Sequence, residues 1–207
     1  MVMGMSGLRE RKKQATREAL MSAALRLAHE RGLENVRVED IAAAAGVSPR
    51  TYNNYFSSKY EAITARHTDR VRDSVAALRA RPPGEPLWEA LTEAMVQPWA
   101  RHAGTTDTPP SPELLAGIRM LADEPALRAE SLRAVFAADG ELAAAVAERV
   151  GADPARDLYP SLVAGAVTAA VQAGVAHWLR ADPPVPLVPV LRECLRALAA
   201  GLPTPSR

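Results

Sequence analysis

The sequence predicts an all-α protein, with an N-terminal three-helix domain joined by a long helix to a larger C-terminal helical domain. Three observations predict it. Aromatic residues make up only 4% of the chain against 48% hydrophobic residues, so the core is built mainly from Leu, Val and Ala; Ala and Leu favour helices, and β-branched runs are scarce. Apolar residues recur at helical spacing, and no strand-like alternation of any length interrupts them. The run Pro82-Pro83-Gly84-Glu85-Pro86 breaks the pattern, and the balance of charge changes sign there.

With 207 residues the chain is long enough for one large domain or two small ones, each with a real core. Its one cysteine, Cys194, cannot form an internal disulfide, which excludes a disulfide-framed secreted fold and any zinc site with two Cys ligands. The start of the chain has no apolar signal core, since Arg9-Glu10-Arg11-Lys12-Lys13 follows Leu8, and the protein is expected in the cytoplasm. Residues 1–81 carry 15 Lys and Arg against 9 Asp and Glu, whereas residues 82–207 carry 10 against 15. A basic front and an acidic rear suggest two tasks, with the front meeting a polyanion; a chance distribution over solvated faces is the alternative.

Taken in order, residues 1–8 are expected to lack structure, and a helix spans about Arg9 to Arg31, with Leu20, Ala23, Ala24 and Leu27 on one face and Gly32 as its C-cap. A short helix is expected over about Glu39–Ala45, its acidic first turn matching the positive dipole end. Gly46 breaks it. Ser48-Pro49 opens another short helix to about Tyr55, as N-cap and first-turn proline. Ser58-Lys59-Tyr60-Glu61 has the form of a capping box and starts a long helix to about Arg81. Beyond the proline run, helices are expected over about 87–102, 112–122, 124–150, 155–180 and 187–201, with a polar loop at Gly104–Pro112. Ser161–Leu179 carries no formal charge, but its polar residues and its Ala-rich apolar part make it a poor membrane span. Small residues at Gly165/Ala169 and Ala170/Gly174 suit a closely packed helix at a subunit interface instead.

The informative stretch is Glu39–Phe56. Ile41, Ala45, Val47, Tyr52 and Tyr55 are spaced to pack two short helices against a third, Ala42 is small where they cross, and Gly46 stands where a tight turn needs positive φ. This is the arrangement of a helix-turn-helix, with an ordinary helical hairpin as the alternative.

The run Thr16-Arg17, Leu20, Ala23-Ala24, Leu27, Gly32, Val38-Glu39-Asp40-Ile41-Ala42, Ala45-Gly46-Val47-Ser48, Thr51-Tyr52, Tyr55-Phe56 and Lys59 resembles the N-terminal domain of TetR-family transcriptional regulators over about residues 9–66. Leu121–Arg128 and Asp157–Pro160 are similar to the actinobacterial branch that contains mycofactocin-type regulators. The resemblance implies a DNA-binding domain at 9–57, a connecting helix at 58–81, and a ligand-binding and dimerisation domain at 82–207. It further implies a homodimer on palindromic double-stranded DNA, a small-molecule effector and, most often, repression relieved by that effector. No cofactor and no metal is implied. Two positions depart from the family pattern. Arg37 stands where a capping Thr is usual and has no acceptor to cap with, though it can reach a phosphate. Asn53 stands where an aromatic is common; Asn can pair bidentately with adenine.

On this reading the helix from Pro49 enters the major groove, its N-terminal residues facing the bases. Arg50 is the first choice for a base contact, because a guanidinium donates twice to guanine. Thr51 would meet a thymine methyl or a phosphate, and Ser48, Pro49 and Asn54 belong to the same surface. Tyr52 is expected in the core. Tyr55 and Lys59 match family positions that hold the sugar-phosphate backbone, and Arg17 and Arg37 are candidates for further phosphate contacts. The cluster Arg9–Lys13 reads either as a mobile arm on DNA or as a solubilising tail.

In the C-terminal half, Trp88, Leu91, Met95 and Trp99 share one helix face. Together with Ile118 and Phe136 they are core residues or the lining of an effector site. Arg119 interrupts an apolar helix and would hold an anionic, for example acyl-borne, group; an ion-paired or surface Arg is the alternative. The dimer interface is expected on Gly165, Ala169, Val171, Gly174 and Trp178, with Leu191 and Leu195 from the last helix. The chain has no GxxxxGK[ST], no GxGxxG after a strand, no HExxH and no GxSxG, and no enzyme is expected. The alternatives are a non-catalytic helical scaffold with non-specific DNA affinity, and an activator of the same family.

Overall fold

The computed structural model describes residues 3–102 and 108–204, apart from the side chains of residues 3–7, His102 and Phe136. Among the described residues the chain forms α-helices and a single 3-10 turn, with no strand. The helices are α1 (Met3–Arg31), α2 (Val38–Ala44), α3 (Pro49–Asn53), α4 (Lys59–Ala80), α5 (Leu87–His102), α6 (Pro112–Asp123), α7 (Pro125–Val150), α8 (Leu158–Arg180) and α9 (Leu187–Ala199). They form two compact units: Met1–His67 with Met120–Ser131, and Thr68–Arg119 with Leu132–Arg207.

In the first unit α1 ends at Gly32, whose φ of +79° is a conformation that side chains with a Cβ resist, and the 3-10 turn Leu33–Asn35 leads into α2. Leu20, Ala24 and Leu27 of α1, Ile41 and Ala42 of α2, Tyr52 and Phe56, and Ala62 and Ile63 of α4 make one apolar core. Leu127, from the second segment of this unit, is buried in the same core, and Leu121 packs against it.

In the second unit Val75 and Leu78 of α4, Leu91 and Val96 of α5, Val146 of α7, Val167 of α8 and Leu191 and Leu195 of α9 form the core. The second unit also holds the later part of α4, from Thr68, and the proline run lies inside it. That run is a fastened corner. The Arg149 guanidinium donates to the carbonyls of Pro82 (2.6 Å) and Glu85 (2.7 Å). Arg81 pairs with the Glu85 carboxylate, and that hydrogen bond holds the carboxyl below its usual range.

Two element ends differ from expectation. Helix α1 starts at Met3, so the basic cluster at 9–13 is helical and not an irregular arm. Helix α8 starts at Leu158 and not near 155, because residues 153–157 form a turn of their own: Asp157 Oδ2 accepts from the Asp153 amide (2.8 Å) and Asp153 Oδ1 from the Ala155 amide (2.9 Å). The first part of the expected polar loop, 104–107, lies outside the described residues.

Candidate nucleic-acid interface

The turn between α2 and α3 is set by backbone hydrogen bonds. The Gly46 amide donates to Ala43 (3.0 Å) and the Val47 amide to Ala42 (2.9 Å), the paired closure that ends a helix on a left-handed residue. Gly46 supplies that residue, with φ +69°. Ser48 then caps α3: its Oγ accepts from the Thr51 amide at 3.1 Å and lies 2.9 Å from the Thr51 hydroxyl. Pro49 occupies the first turn, where its missing N–H costs nothing. Arg37 caps α2 with no acceptor of its own; its backbone N–H instead donates to Asp40 Oδ2 at 3.1 Å, and its side chain is exposed.

Tyr52 locks α3 from below. It is fully buried, its ring meets Phe56 at 5.8 Å between centroids, and its hydroxyl donates to the Ser58 carbonyl at 2.8 Å. Burial, with the Glu61 charge nearby, pushes its pKa up to about 12. Ser58 caps α4 by accepting from the Glu61 amide (3.1 Å), while the Glu61 carboxylate reaches one residue further back than a capping box requires, to the Ser57 amide (2.7 Å) and hydroxyl (2.7 Å).

What remains outward on this rigid helix is a polar edge. Pro49, Arg50, Asn53 and Asn54 are exposed, and the side chains of Arg50, Asn53 and Asn54 hydrogen-bond to nothing among the described residues. Thr51 and Tyr55 are half-buried, Tyr55 against the core. Two residues expected at phosphates have partners inside the unit. The Lys59 ammonium donates to the carbonyls of Leu33 (2.7 Å) and Val36 (2.9 Å), so two of its three donors hold the segment before α2 against the start of α4. Arg17 lies over the Phe56 ring, 5.4 Å from its centroid, and touches Met21 Sδ at 3.3 Å. Lys59 thus clamps the fold and Arg17 covers part of the core. Sequence spacing does not show either contact, because the partners are backbone carbonyls and a ring distant along the chain.

Residues 20–64 match the family described as bacterial regulatory proteins, tetR family, and residues 85–203 match the MftR C-terminal domain, more than half of the chain. The chain is 34% identical over 178 residues to the HTH-type transcriptional regulator TcmR of Streptomyces glaucescens, covering 85% of this chain and 79% of TcmR. The chain belongs to the TetR family of bacterial transcriptional regulators. Solved structures of the same fold include Thermus thermophilus FadR in complex with lauroyl-CoA, with a TM-score of 0.53 at 21% identity over 92% of this chain and 97% of that one. The SmeT–triclosan complex has a TM-score of 0.59 at 18% identity over 93% and 99%; SmeT is the efflux-pump repressor of Stenotrophomonas maltophilia. The helix-turn-helix of this TetR regulator is thus its DNA-binding element.

In the C-terminal unit of the regulator, Leu91 and Met95 are buried core residues, and Trp88 and Trp99 pack partly buried against that core. The Arg70 guanidinium stacks over Trp99 at 4.3 Å. Ile118 is half-buried, and the side chain of Phe136 lies outside the described residues. Arg119 does not wait for an anion. Its guanidinium donates to the carbonyls of Leu179 and of Ala181, the latter at 2.9 Å, so it closes the C-terminal end of α8, where unpaired carbonyls and the helix dipole favour a cation.

The expected interface residues fall on two different faces of α8. Gly165 and Ala169 are exposed. Val171 packs against the core of its own chain, and Gly174 and Trp178 are buried. A Cβ on Gly174 would sit 3.1 Å from Leu191 Cδ2 and 3.2 Å from Cys194 Sγ, so this glycine serves the close approach of α8 and α9 within one chain. Trp178 donates its indole N–H to the Val185 carbonyl at 2.8 Å. Leu191 and Leu195 are buried in the core of their own unit. Their apolar stripe faces α5 and α8, because α9 fills the groove those two helices make. The outer face of α8 carries exposed Leu158, Tyr159 and Leu162 instead.

Proposed function

We propose that this TetR-family regulator acts in the cytoplasm as a repressor that binds an inverted repeat as a homodimer and is released by a small apolar effector. The observation that carries the reading is the edge of α3: three polar side chains with unused donors, Arg50, Asn53 and Asn54, project from a helix capped at Ser48 and pinned by buried Tyr52. Pre-ordered donors of these types suit guanine and adenine edges in a major groove. Arg37, exposed at the cap of α2, is available to a phosphate.

The dimer reading rests on α8. The helix is long and apolar enough to cross a membrane, yet one face is packed into its own unit and the other displays Leu158, Tyr159, Leu162, Gly165 and Ala169 to solvent. A helix without formal charge before Arg180, with an exposed apolar and small-residue face, suits a two-fold contact with its copy. The effector reading rests on the Trp88, Leu91, Met95, Trp99 and Ile118 side chains and on the ligands of the two related structures, triclosan and lauroyl-CoA with its apolar acyl chain. With Arg119 engaged by α8, apolar contact and not an anion clamp supplies the affinity.

The test is selection of bound sites from random duplexes, followed by footprinting. Recovery of a two-fold symmetric site whose preference relaxes at one base pair per half-site in Arg50→Ala supports the reading. A uniform loss on selected and random DNA would remove Arg50 from base recognition, and no enriched site would favour the non-specific scaffold.

A further inference from the structure

Within the C-terminal unit, α7 turns one side inward: Val135, Leu142, Ala143 and Val146 are buried on it. At about 100° per residue, Asp139 falls in the middle of that side. A carboxylate, half-buried between α7 and α8, thus interrupts an apolar stripe. Its partner is a neutral group. The Thr168 hydroxyl donates to Asp139 Oδ1 at 2.7 Å, and no Lys, Arg or His pairs with the carboxylate among the described residues. A carboxylate drawn away from water costs free energy unless a cation or several donors compensate it, and a hydroxyl supplies a single donor.

The surroundings of this acid belong to the core on which the effector reading rests. Leu142, Ala143 and Val146 of α7, Ala164 and Val167 of α8, and Leu91 and Met95 of α5 share that core, and Trp88, Trp99, Val171 and Val175 pack against it. Along α8, Ala164 and Val167 are fully buried, whereas Thr168, Val171 and Val175 are half-buried. Packing on this side of α8 therefore loosens at the level of the carboxylate. Two further observations bear on the charge of an occupant. The Arg70 guanidinium lies over the Trp99 ring at 4.3 Å, so an aromatic face of this unit accepts a cation. Arg119, the basic residue expected to meet an anion, is engaged by the carbonyls of Leu179 and Ala181.

We infer that Asp139 is the polar anchor of the effector site and that the effector is an amine, an apolar body that brings an ammonium group to this carboxylate. The inference rests on the effector reading proposed above and adds to it the charge of the ligand and the residue that holds it. An ammonium supplies the cation and the further donors that the Thr168 hydroxyl does not. A carboxylate-bearing effector would meet a like charge at the same place, with Arg119 turned elsewhere.

Octylammonium, octanol and octanoate carry one apolar chain with a positive, a neutral and a negative end. Each is titrated by calorimetry into the full-length protein at neutral pH. Octylammonium should bind more tightly than octanol by about 10- to 100-fold, the worth of a hydrogen bond to a charged group. Octanoate should bind more weakly than octanol. Asp139→Asn removes the charge and keeps an acceptor for the Thr168 hydroxyl, so the contact between α7 and α8 survives. In that variant octylammonium should lose its advantage over octanol, and octanoate should gain on octanol. Thr168→Val retains the carboxylate and should retain the preference for the ammonium. Equal affinity for octylammonium and octanol in the unmodified protein overturns the anchor, and so does an ammonium preference that survives Asp139→Asn. An Asp139→Asn protein that unfolds at lower denaturant and loses all three ligands alike also overturns it, and makes Asp139 a tether between helices. Failure of the effector reading is distinct: none of the three then binds the unmodified protein, and the anchor falls with the site.

Discussion

Tyr52 carries two jobs that pH separates. Its neutral hydroxyl is held in the core and donates to Ser58. The folded pKa of about 12 lies above the value of 10.0 for a free tyrosine, so the folded state keeps this proton more firmly than the unfolded chain. The contribution is fully present below pH 10 and is lost as the pH climbs toward 12. Tyr52→Phe should lose that window relative to the wild type and should cost about 1–2 kcal/mol at neutral pH by leaving the Ser58 carbonyl without its donor; paired urea titrations at pH 9 and pH 11 read both. Lys59 and Arg119 make a related point about donors on carbonyls. Lys59→Met should destabilise the N-terminal unit by about 1–3 kcal/mol and leave the salt slope of DNA binding unchanged, whereas a phosphate contact would take about 1 from that slope. Arg119→Met should lower the unfolding midpoint and leave effector affinity within error in calorimetry. The local residues were legible in the sequence: Ser48, Pro49, Gly46 and Tyr52 act within a few positions of themselves. Lys59 and Arg119 were not, because their partners lie 26 and 60 residues away and are main-chain oxygens that no side-chain pattern records.

At the scale of elements, α8 decides how the C-terminal half is used. A helix with no formal charge before Arg180 and glycines on both sides can be buried by its own chain, by a copy, or by both. Composition gives the helix but not the division of its faces, since Gly165 and Gly174 look alike in sequence. In the structure nothing lies near a Cβ built on Gly165, while one on Gly174 meets Leu191 and Cys194 at 3.1 and 3.2 Å. The two glycines should therefore fail differently. Gly174→Val should overpack the α8–α9 contact and cost about 1–3 kcal/mol of folding stability. Gly165→Arg should fold normally, with an unshifted unfolding transition, and run as a monomer in sedimentation. A Gly165→Arg protein that stays dimeric would move the interface off this face. Val171, by contrast, packs on the core, so a charge there would injure the fold before it could report on assembly. The same logic applies to the proline run at 82–86: its composition marks a turn, but the residue that fastens that turn, Arg149, stands 63 or more positions later.

For the whole molecule, the question is how an event in one compact unit can reach the other. Helix α4 is uninterrupted from Lys59 to Ala80 and contributes residues to both units, and α6 and α7 do the same on either side of Arg119/Met120 and Ser131/Leu132. Sharp bends in a helix need a cause such as proline or a break in its hydrogen-bond ladder. Leu127, seated in the N-terminal core, gives the corner between α6 and α7 a hold on the DNA-binding unit. Two recognition helices must sit about 34–36 Å apart to dock in successive turns of the groove, so a shift of several ångström should prevent simultaneous binding. For an effector to cause release it must bind the DNA-incompetent arrangement more tightly, since equal affinity for both shifts nothing. Coupling free energy is shared by the two ligands, so operator DNA must weaken effector binding by the same factor by which effector weakens operator binding. The measurement is calorimetry of a hit from a screen of acyl-CoAs and aromatic hydrophobes, titrated into free protein and into the protein–operator complex. A coupling of about 1–3 kcal/mol, a 5- to 150-fold change in affinity, is expected in both directions. Leu127→Ala should reduce that factor while leaving the effector's affinity for free protein unchanged, because it loosens the corner and touches no residue of the Trp88–Trp99 face. Identical effector affinity with and without operator would show that the two units do not communicate through these helices, and regulation by the effector would have to act by some route other than release.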